Sequence, residues 1–429
     1  MIMNRQKFLK ASTLLAASAF LFQGTHGLAE TKKIRVAVIG VNGMGWSNLM
    51  AILKNKNVIC TALCDVDENV LNQRVAELDK RNIKVQSYID YRDLLKDKNV
   101  DAVIIATPDH WHCLMMVDAV KAGKHVYIEK PIGNSIKECE VMVTAAQKHN
   151  AIVQVGQWQR SQQHFEDAMK FLHGGSLGKV RMVKVWAYLG WKKDVPILPD
   201  TAIPSGVHYD RWLGPAPKRP FNRNRFHFNF RWFWDYAGGL MTDWGVHMLD
   251  FALIGMNVSD PRSIMAAGGK FAYPDDVEET PDTLTTLYEF DGFNVQWEHA
   301  IGIDQGPYNK GHGVAFIGNN GTLVLNRQGW EVLPEGNRME AVPLQKAKDD
   351  GLERHMNNFV EAIFTQNRTI LKAPIEAGAH IAILSQMGNI AYRTGKKLYW
   401  NKEKQQFSDK EANRYLAAAY HNGYTYPKI

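Results

Sequence analysis

In the first third of the chain, short apolar runs alternate with stretches of helical period. Residues 34–39 form an almost continuous β-branched run, the mark of a strand buried on both faces. Residues 58–64 predict a second strand, and 102–106, 126–128 and 152–156 predict three more. Helices are expected after the glycines of segment 40–45 and over 68–80, 113–122 and 136–149. Repeated strand–helix–strand units with right-handed crossovers predict a doubly wound parallel sheet over residues 33–156.

From residue 157 the texture changes. A helix over 161–172 leads to a strand over 181–191, then to a long aromatic, Pro- and Gly-rich stretch from 196 to 239. Strands are predicted over 263–269, 283–290, 294–300, 314–317 and 322–326, with Asn319-Asn320-Gly321 as a hairpin turn. Strands in close succession favour antiparallel pairing, so residues 157–429 read as an α+β domain. Helices return over 352–365 and 375–392.

The first 29 residues do not fit this pattern and read as an export signal. Arg5, Lys7 and Lys10 precede an apolar run over 11–22 that is too short to span a bilayer, and Gly27-Leu28-Ala29 offers a small-residue cleavage site. Residues 4–10 resemble a twin-arginine signal with Gln6 in place of the second arginine; an ordinary secretory signal is the alternative. Either predicts a periplasmic protein. Removing the segment takes the formal charge from +7 to +4. No basic stripe stands out, which argues against nucleic acid as a partner. No later segment has the length and apolarity of a membrane span. Cys60, Cys64, Cys113 and Cys139 show no metal-ligand spacing and read as buried thiols. Cys60 and Cys64 are roughly 13 Å apart on one strand and cannot bridge.

Chemistry concentrates at a few places. Gly40-Val41-Asn42-Gly43-Met44-Gly45 joins a strand to a helix, where backbone N–H groups cradle a pyrophosphate. Asn42 holds the usual middle-glycine position, and asparagine tolerates a left-handed backbone. Asp65 ends the second strand, where a carboxylate accepts the adenosine ribose hydroxyls; helix capping is its other reading. No arginine follows it, so NAD is expected rather than NADP. Lys130 follows a buried strand at the crevice edge and precedes Pro131. Asp243 and His247 are spaced to share one helix face, which would let the carboxylate orient the imidazole or hold a substrate hydroxyl. A histidine titrating near neutrality and a lysine ammonium suit removal of a proton from a secondary alcohol as its hydride leaves. His110 and His112 lack the further spaced ligands a metal needs, so no metal is expected, and His112 is placed beside the nicotinamide ribose. In the aromatic run, Arg231, Trp232 and Trp234 are candidate sugar contacts, with His227 and Asp235 as hydroxyl binders; packing in a core or interface is the alternative. Gln157, Trp158 and Arg160 are expected to face the cleft, with Tyr308 and His312 as weaker candidates.

The runs Thr107-Pro108-Asp109-His110-Trp111-His112, His125-Val126-Tyr127-Ile128-Glu129-Lys130-Pro131, and Gly238-Gly239-Leu240-Met241-Thr242-Asp243-Trp244-Gly245-Val246-His247 followed by Asp250 are similar to the glucose–fructose oxidoreductase/inositol dehydrogenase (Gfo/Idh/MocA) superfamily. The likeness covers roughly residues 33–400. It implies an α/β Rossmann domain plus a C-terminal α+β domain with a large open, mainly antiparallel sheet, and a cleft between them. It implies that Lys130 and His247 flank the reacting carbon with Asp243 on the substrate, and that Thr107, Pro108, His110, His112, Glu129 and Gln157 lie at the cofactor. The leading expectation is an exported, NAD-dependent oxidoreductase acting on a pyranoside, at C3, with tightly held cofactor and a homo-oligomeric assembly, a dimer or tetramer. An NAD-dependent glycosidase working through transient C3 oxidation and an inositol dehydrogenase are the alternatives. The Glu129-Lys130-Pro131 element favours the dehydrogenase over the glycosidase.

Overall fold

The computed structural model describes residues 33–429; the expected export signal at 1–29 lies outside the described residues. The first half comprises β1 (Ile34–Ile39), α1 (Gly43–Ile52), β2 (Val58–Cys64), α2 (Glu68–Asp79), β3 (Gln86–Tyr88), α3 (Tyr91–Leu95), β4 (Ala102–Ile105), α4 (Asp109–Lys121), β5 (His125–Ile128), α5 (Ile136–Lys148) and β6 (Val153–Val155). These strands are parallel in the order β3-β2-β1-β4-β5-β6. The direction of winding reverses between β1 and β4, which opens a crevice at their carboxyl ends. Val36, Val38, Ala102, Ile104 and Tyr127 pack on one face, and Ala37, Ile39, Val103, Ile105 and Ile128 on the other. Burial of both faces is why these strands read as unbroken apolar runs.

The second half comprises α6 (Gln163–His173), β7 (Met182–Leu189), α7 (Tyr209–Leu213), α8 (Gly239–Asp243), α9 (Gly245–Met256), β8 (Ser263–Gly269), β9 (Thr283–Phe290), β10 (Phe293–Ile301), β11 (His312–Ile317), β12 (Gly321–Asn326), β13 (Gly329–Pro334), β14 (Val342–Lys346), α10 (Gly351–Thr365), α11 (Ile375–Thr394), β15 (Leu398–Asn401) and β16 (Gln406–Phe407). Its ten-stranded sheet has the order β14-β13-β12-β11-β7-β10-β9-β8-β15-β16. β7 and β10 pair in parallel and the other pairings are antiparallel. Phe165, Phe251, Tyr288, Trp297 and Leu384 belong to the core between this sheet and its helices.

The two halves interlock. Met356, Phe359 and Val360 of α10 pack with Val36 and Val38, while Ile375, Ala379 and Ala382 of α11 pack with Ala37 and Ile39. The loop before α7 docks on the segment after β2: the His208 N–H donates to the Val66 carbonyl at 2.9 Å and the Glu68 N–H to that of Gly206 at 2.8 Å. All four cysteines are buried and unbridged. No helix among the described residues is long and apolar enough to cross a membrane.

Candidate active site

A cleft of about 740 Å³ runs along the crevice at the ends of β1 and β4, in the usual range for small-molecule sites. At one end lie Gly40, Asn42, Gly43, Met44 and Asp65; at the other, Lys130, Trp158, Arg231, Asp243 and His247. Thr107, Pro108, His112 and Glu129 line the wall between.

The glycine turn fits a dinucleotide. Gly40 has φ +83°, and a Cβ there would stand 2.7 Å from the Ala106 carbonyl oxygen. A Cβ on Gly45 would overlap the Gly40 carbonyl, so Gly45 sets the packing of α1 on β1 and is not on the cleft wall. Gly43 (φ +42°) has nothing within 4 Å of where its Cβ would be, the open approach a pyrophosphate needs. Asn42 is extended (φ −83°), not left-handed as its sequence position suggested; its side chain accepts the Gly43 N–H at 2.9 Å and caps α1. The Asp65 carboxylate accepts the Val41 N–H at 2.9 Å and the Asp67 N–H at 3.0 Å, so it braces the turn it faces. It does not cap α2; Asp67 does. Burial raises the Asp65 pKa, opposed by those two hydrogen bonds.

Lys130 is the hinge of the chemical end. Its ammonium donates to Asp243 Oδ1 at 2.7 Å and to the Asp243 carbonyl at 3.1 Å. Two of its three N–H bonds are thereby used and one remains. Arg231 Nε lies 3.5 Å from the same Asp243 oxygen. Burial alone would push the Asp243 carboxyl up, but Lys130 and then Arg231 outweigh it and hold it at about 2. Glu129 is buried behind them, accepting Asn48 Nδ2 at 2.8 Å and the Lys130 N–H at 3.2 Å, which ties Lys130 to α1.

Asp243 and His247 both line the cleft but do not share one helix. Asp243 ends α8, Trp244 intervenes, and His247 lies in the first turn of α9. Asp243 is engaged by Lys130, so it does not orient the imidazole: His247 Nδ1 is buried with no hydrogen-bond partner among the described residues. Burial first, then Lys130, Arg327 and His312, lower the His247 pKa well below its ordinary value. The ring is therefore a neutral proton acceptor at neutral pH, not a group titrating there.

Several expected contacts lie elsewhere. Arg160 makes a two-point pair with Asp250 at 2.6 and 2.5 Å and is off the cleft wall, as is Gln157, whose buried amide has no partner among the described residues. Trp232 is fully buried under Lys192, and Trp234 donates to the Glu279 carbonyl, so neither faces the cleft. Asp235 pairs with Arg219 at 2.7 Å. Tyr308 packs on Trp186 and His312 on Trp244, both outside the lining. His110 turns away among Trp111, Trp212 and Tyr236, its Nε2 3.1 Å from the Trp212 carbonyl. His112 does line the cleft, yet Nδ1 faces the Pro131 carbonyl at 2.7 Å and Nε2 that of Thr107 at 2.8 Å. Burial lowers its pKa to about 4, so the neutral ring donates to one of these carbonyls while still lining the cleft. His227 lines the cleft, its Nε2 2.9 Å from Asp67 and its Nδ1 3.4 Å from Asn42 Nδ2.

Two further residues line the cleft. Arg327 follows β12 with no motif around it. Asp109, at the start of α4, is buried and pushed up to about 8 by that burial, against the pull of Arg231 and Lys130. It belongs to the Thr107–His112 run, but sequence reasoning assigns it no role of its own.

The chain belongs to the Gfo/Idh/MocA oxidoreductase family: residues 34–157 match its model for "Oxidoreductase family, NAD-binding Rossmann fold", and residues 185–426 that for "Oxidoreductase family, C-terminal alpha/beta domain". Among curated relatives, a glycosyl hydrolase family 109 protein of Shewanella putrefaciens is 30% identical over 170 residues, 34% of this chain and 37% of that protein. An inositol 2-dehydrogenase of Salmonella paratyphi B is 30% identical over 152 residues, 35% of this chain and 44% of that enzyme. The matched stretch thus spans under half the length of either relative. The crystal structure of an aldose–aldose oxidoreductase from Caulobacter crescentus, complexed with glycerol, aligns with a TM-score of 0.65 at 19% identity, over 86% of this chain and 99% of that one. At that identity the likeness is one of fold.

Proposed function

We propose that the protein oxidises a secondary alcohol of a pyranoside, at C3, using an NAD that stays bound between turnovers. The observation that carries this reading is the placement of Lys130, Asp243 and His247 on the same cleft as the glycine turn. When bound, NAD supplies the hydride acceptor. Lys130, fixed by Asp243, has one N–H left for the substrate oxygen and stabilises negative charge developing there. His247, neutral and on the cleft wall, suits acceptance of the hydroxyl proton. Exposed Trp191 and Phe228 on the cleft wall offer faces for a sugar ring.

The glycosyl hydrolase relative favours a second reading, in which C3 oxidation acidifies the C2 proton and primes loss of the aglycone. Retention of NAD fits export to the periplasm, where free nucleotide is scarce. Met182, Met265 and Tyr399, exposed on β7, β8 and β15, support a dimer or tetramer through the large sheet, checked by sedimentation. The deciding test is to denature the purified protein, identify the released nucleotide, and then add a glycoside to intact protein without free NAD. Stoichiometric reduction, reversed by a 3-ketoglycoside, supports the oxidoreductase; release of the aglycone as well supports the glycosidase. An apo protein active only with added NAD refutes retention.

A further inference from the structure

The substrate end of the cleft carries a cation that no carboxylate among the described residues hydrogen-bonds. Arg327 lies on the wall with Trp158, Trp244 and His247. Its guanidinium carbon stands 5.0 Å from the Trp158 ring centre and 4.6 Å from that of Trp244. The two indoles hold the fork by cation–π contact but use none of its N–H donors. Nε is buried without a hydrogen-bond partner among the described residues. Burial lowers the Arg327 pKa to about 10, and the opposing charge is that of Asp243. Asp243 is already held by Lys130 at 2.7 Å and approached by Arg231 at 3.5 Å. His247 and His312 are neutral, and Asp109 is pushed up to about 8 by burial, so neither histidine nor that acid balances the end at neutral pH. Lys130 and Arg231 lie against Asp243, with Glu129 behind Lys130, while Arg327 has no hydrogen-bonded acid partner among the described residues.

We infer that the substrate is a pyranoside bearing a carboxylate, which Arg327 grips while the hydroxyl to be oxidised sits at Lys130 and His247. This rests on the oxidoreductase reading and names its substrate class. The planar fork matches a carboxylate with paired N–H bonds, and the flanking indoles pack against the sugar's C–H faces. A neutral sugar leaves the buried guanidinium unpaired, and a site built for a charged group rejects ligands that lack it. The dinucleotide's phosphates do not compete, because their place is the glycine turn at the other end.

The test uses the holoprotein and follows reduction of its bound cofactor. Methyl glucoside and methyl glucuronide form one probe pair, methyl galactoside and methyl galacturonide a second. At least one acidic probe should exceed its neutral partner about 10- to 100-fold in kcat/KM, the scale of a charge-assisted hydrogen-bonded pair. Arg327→Gln should collapse that ratio by raising KM for the acid, and Arg327→Lys should restore part of it. If Arg327→Gln does not fold, the wild-type ratio and the lysine variant decide. A neutral probe used as well as its acidic partner, with the ratio unchanged in the variants, overturns the inference and leaves the oxidoreductase reading standing. Reduction by none of the probes, or by a 3-ketoglycoside–glycoside cycle, removes both.

Discussion

Replacing Lys130 by alanine should separate chemistry from cofactor binding. The ammonium contributes one free N–H and a full charge to the substrate oxygen, and two hydrogen bonds to Asp243. Loss of a donor to a developing oxyanion costs about 2.7–4 kcal/mol, so single-turnover reduction should slow about 10²- to 10³-fold. The glycine turn and Asp65 are untouched, and the nucleotide released on denaturation should stay stoichiometric. A second signature lies in stability. Asp243 is held at about 2 against an ordinary 3.8, which corresponds to about 2 kcal/mol. A depressed carboxyl stabilises the fold above its unfolded pKa, and that contribution fades as pH falls through about 2. Without Lys130, burial acts against Arg231 alone, so Asp243 titrates higher and the acid limb of the melting-temperature curve moves up in pH. Stopped-flow nicotinamide absorbance and a pH series of thermal melts measure the two effects. Wild-type reduction rates on the true substrate would refute Lys130 as a catalytic group, and an unmoved acid limb would refute its pairing with Asp243.

Other changes should act on separate links of the same chain. His247→Asn should slow reduction about 10²-fold, yet leave the shape of the pH–rate profile around neutrality unchanged, because burial has already lowered the imidazole pKa well below its ordinary value; loss of a near-neutral ionisation would contradict this. Asp65→Asn should weaken retention of NAD and relax discrimination against NADP, and, by disturbing the Val41 and Asp67 N–H bonds, cost about 1–3 kcal/mol of stability in denaturant melts. Asp109→Asn should raise the melting temperature at pH 8 and above, with little change near pH 4. The folded-state pKa of Asp109 is raised to about 8, so the wild type loses stability as pH climbs toward that value. Equal melts at both ends would show that Asp109 ionises freely.

The parallel sheet was legible because burial on both faces leaves one reading for a run such as β1. Sequence reasoning missed β3, β13, β14, β15 and β16, of which β3 and β14 have the weakest signals. β3 is three residues long, and β14 is a largely exposed edge in which only Val342 is half-buried. Site residues in motifs were found where the backbone alone fixes their direction: Lys130 leaves a strand at the crevice, and Gly40 must be a glycine. Direction failed where packing decides it. In the run 226–236 nothing local tells Arg231, which faces the cleft, from Trp232, which is sealed under Lys192. Arg160 looked like a cleft residue until Asp250, ninety positions away, claimed its fork. The four-residue spacing of Asp243 and His247 held, but Trp244 divides the helix between them and the carboxylate faces a lysine from another domain layer.

His227 reaches from the second half of the chain to Asp67, just beyond β2, with its other ring nitrogen against Asn42 of the glycine turn. A dinucleotide seated on that turn lies behind this bar. For an NAD retained as proposed, release would then require the His227 contacts to open, and residence time would follow that rate as well as equilibrium affinity. On that proposal, a contact remote from Lys130 would set how many catalytic cycles one nucleotide serves. Exchange and chemistry become independently adjustable: a chain that loosens the bar becomes a dehydrogenase dependent on a soluble cofactor pool, with its reacting groups unaltered.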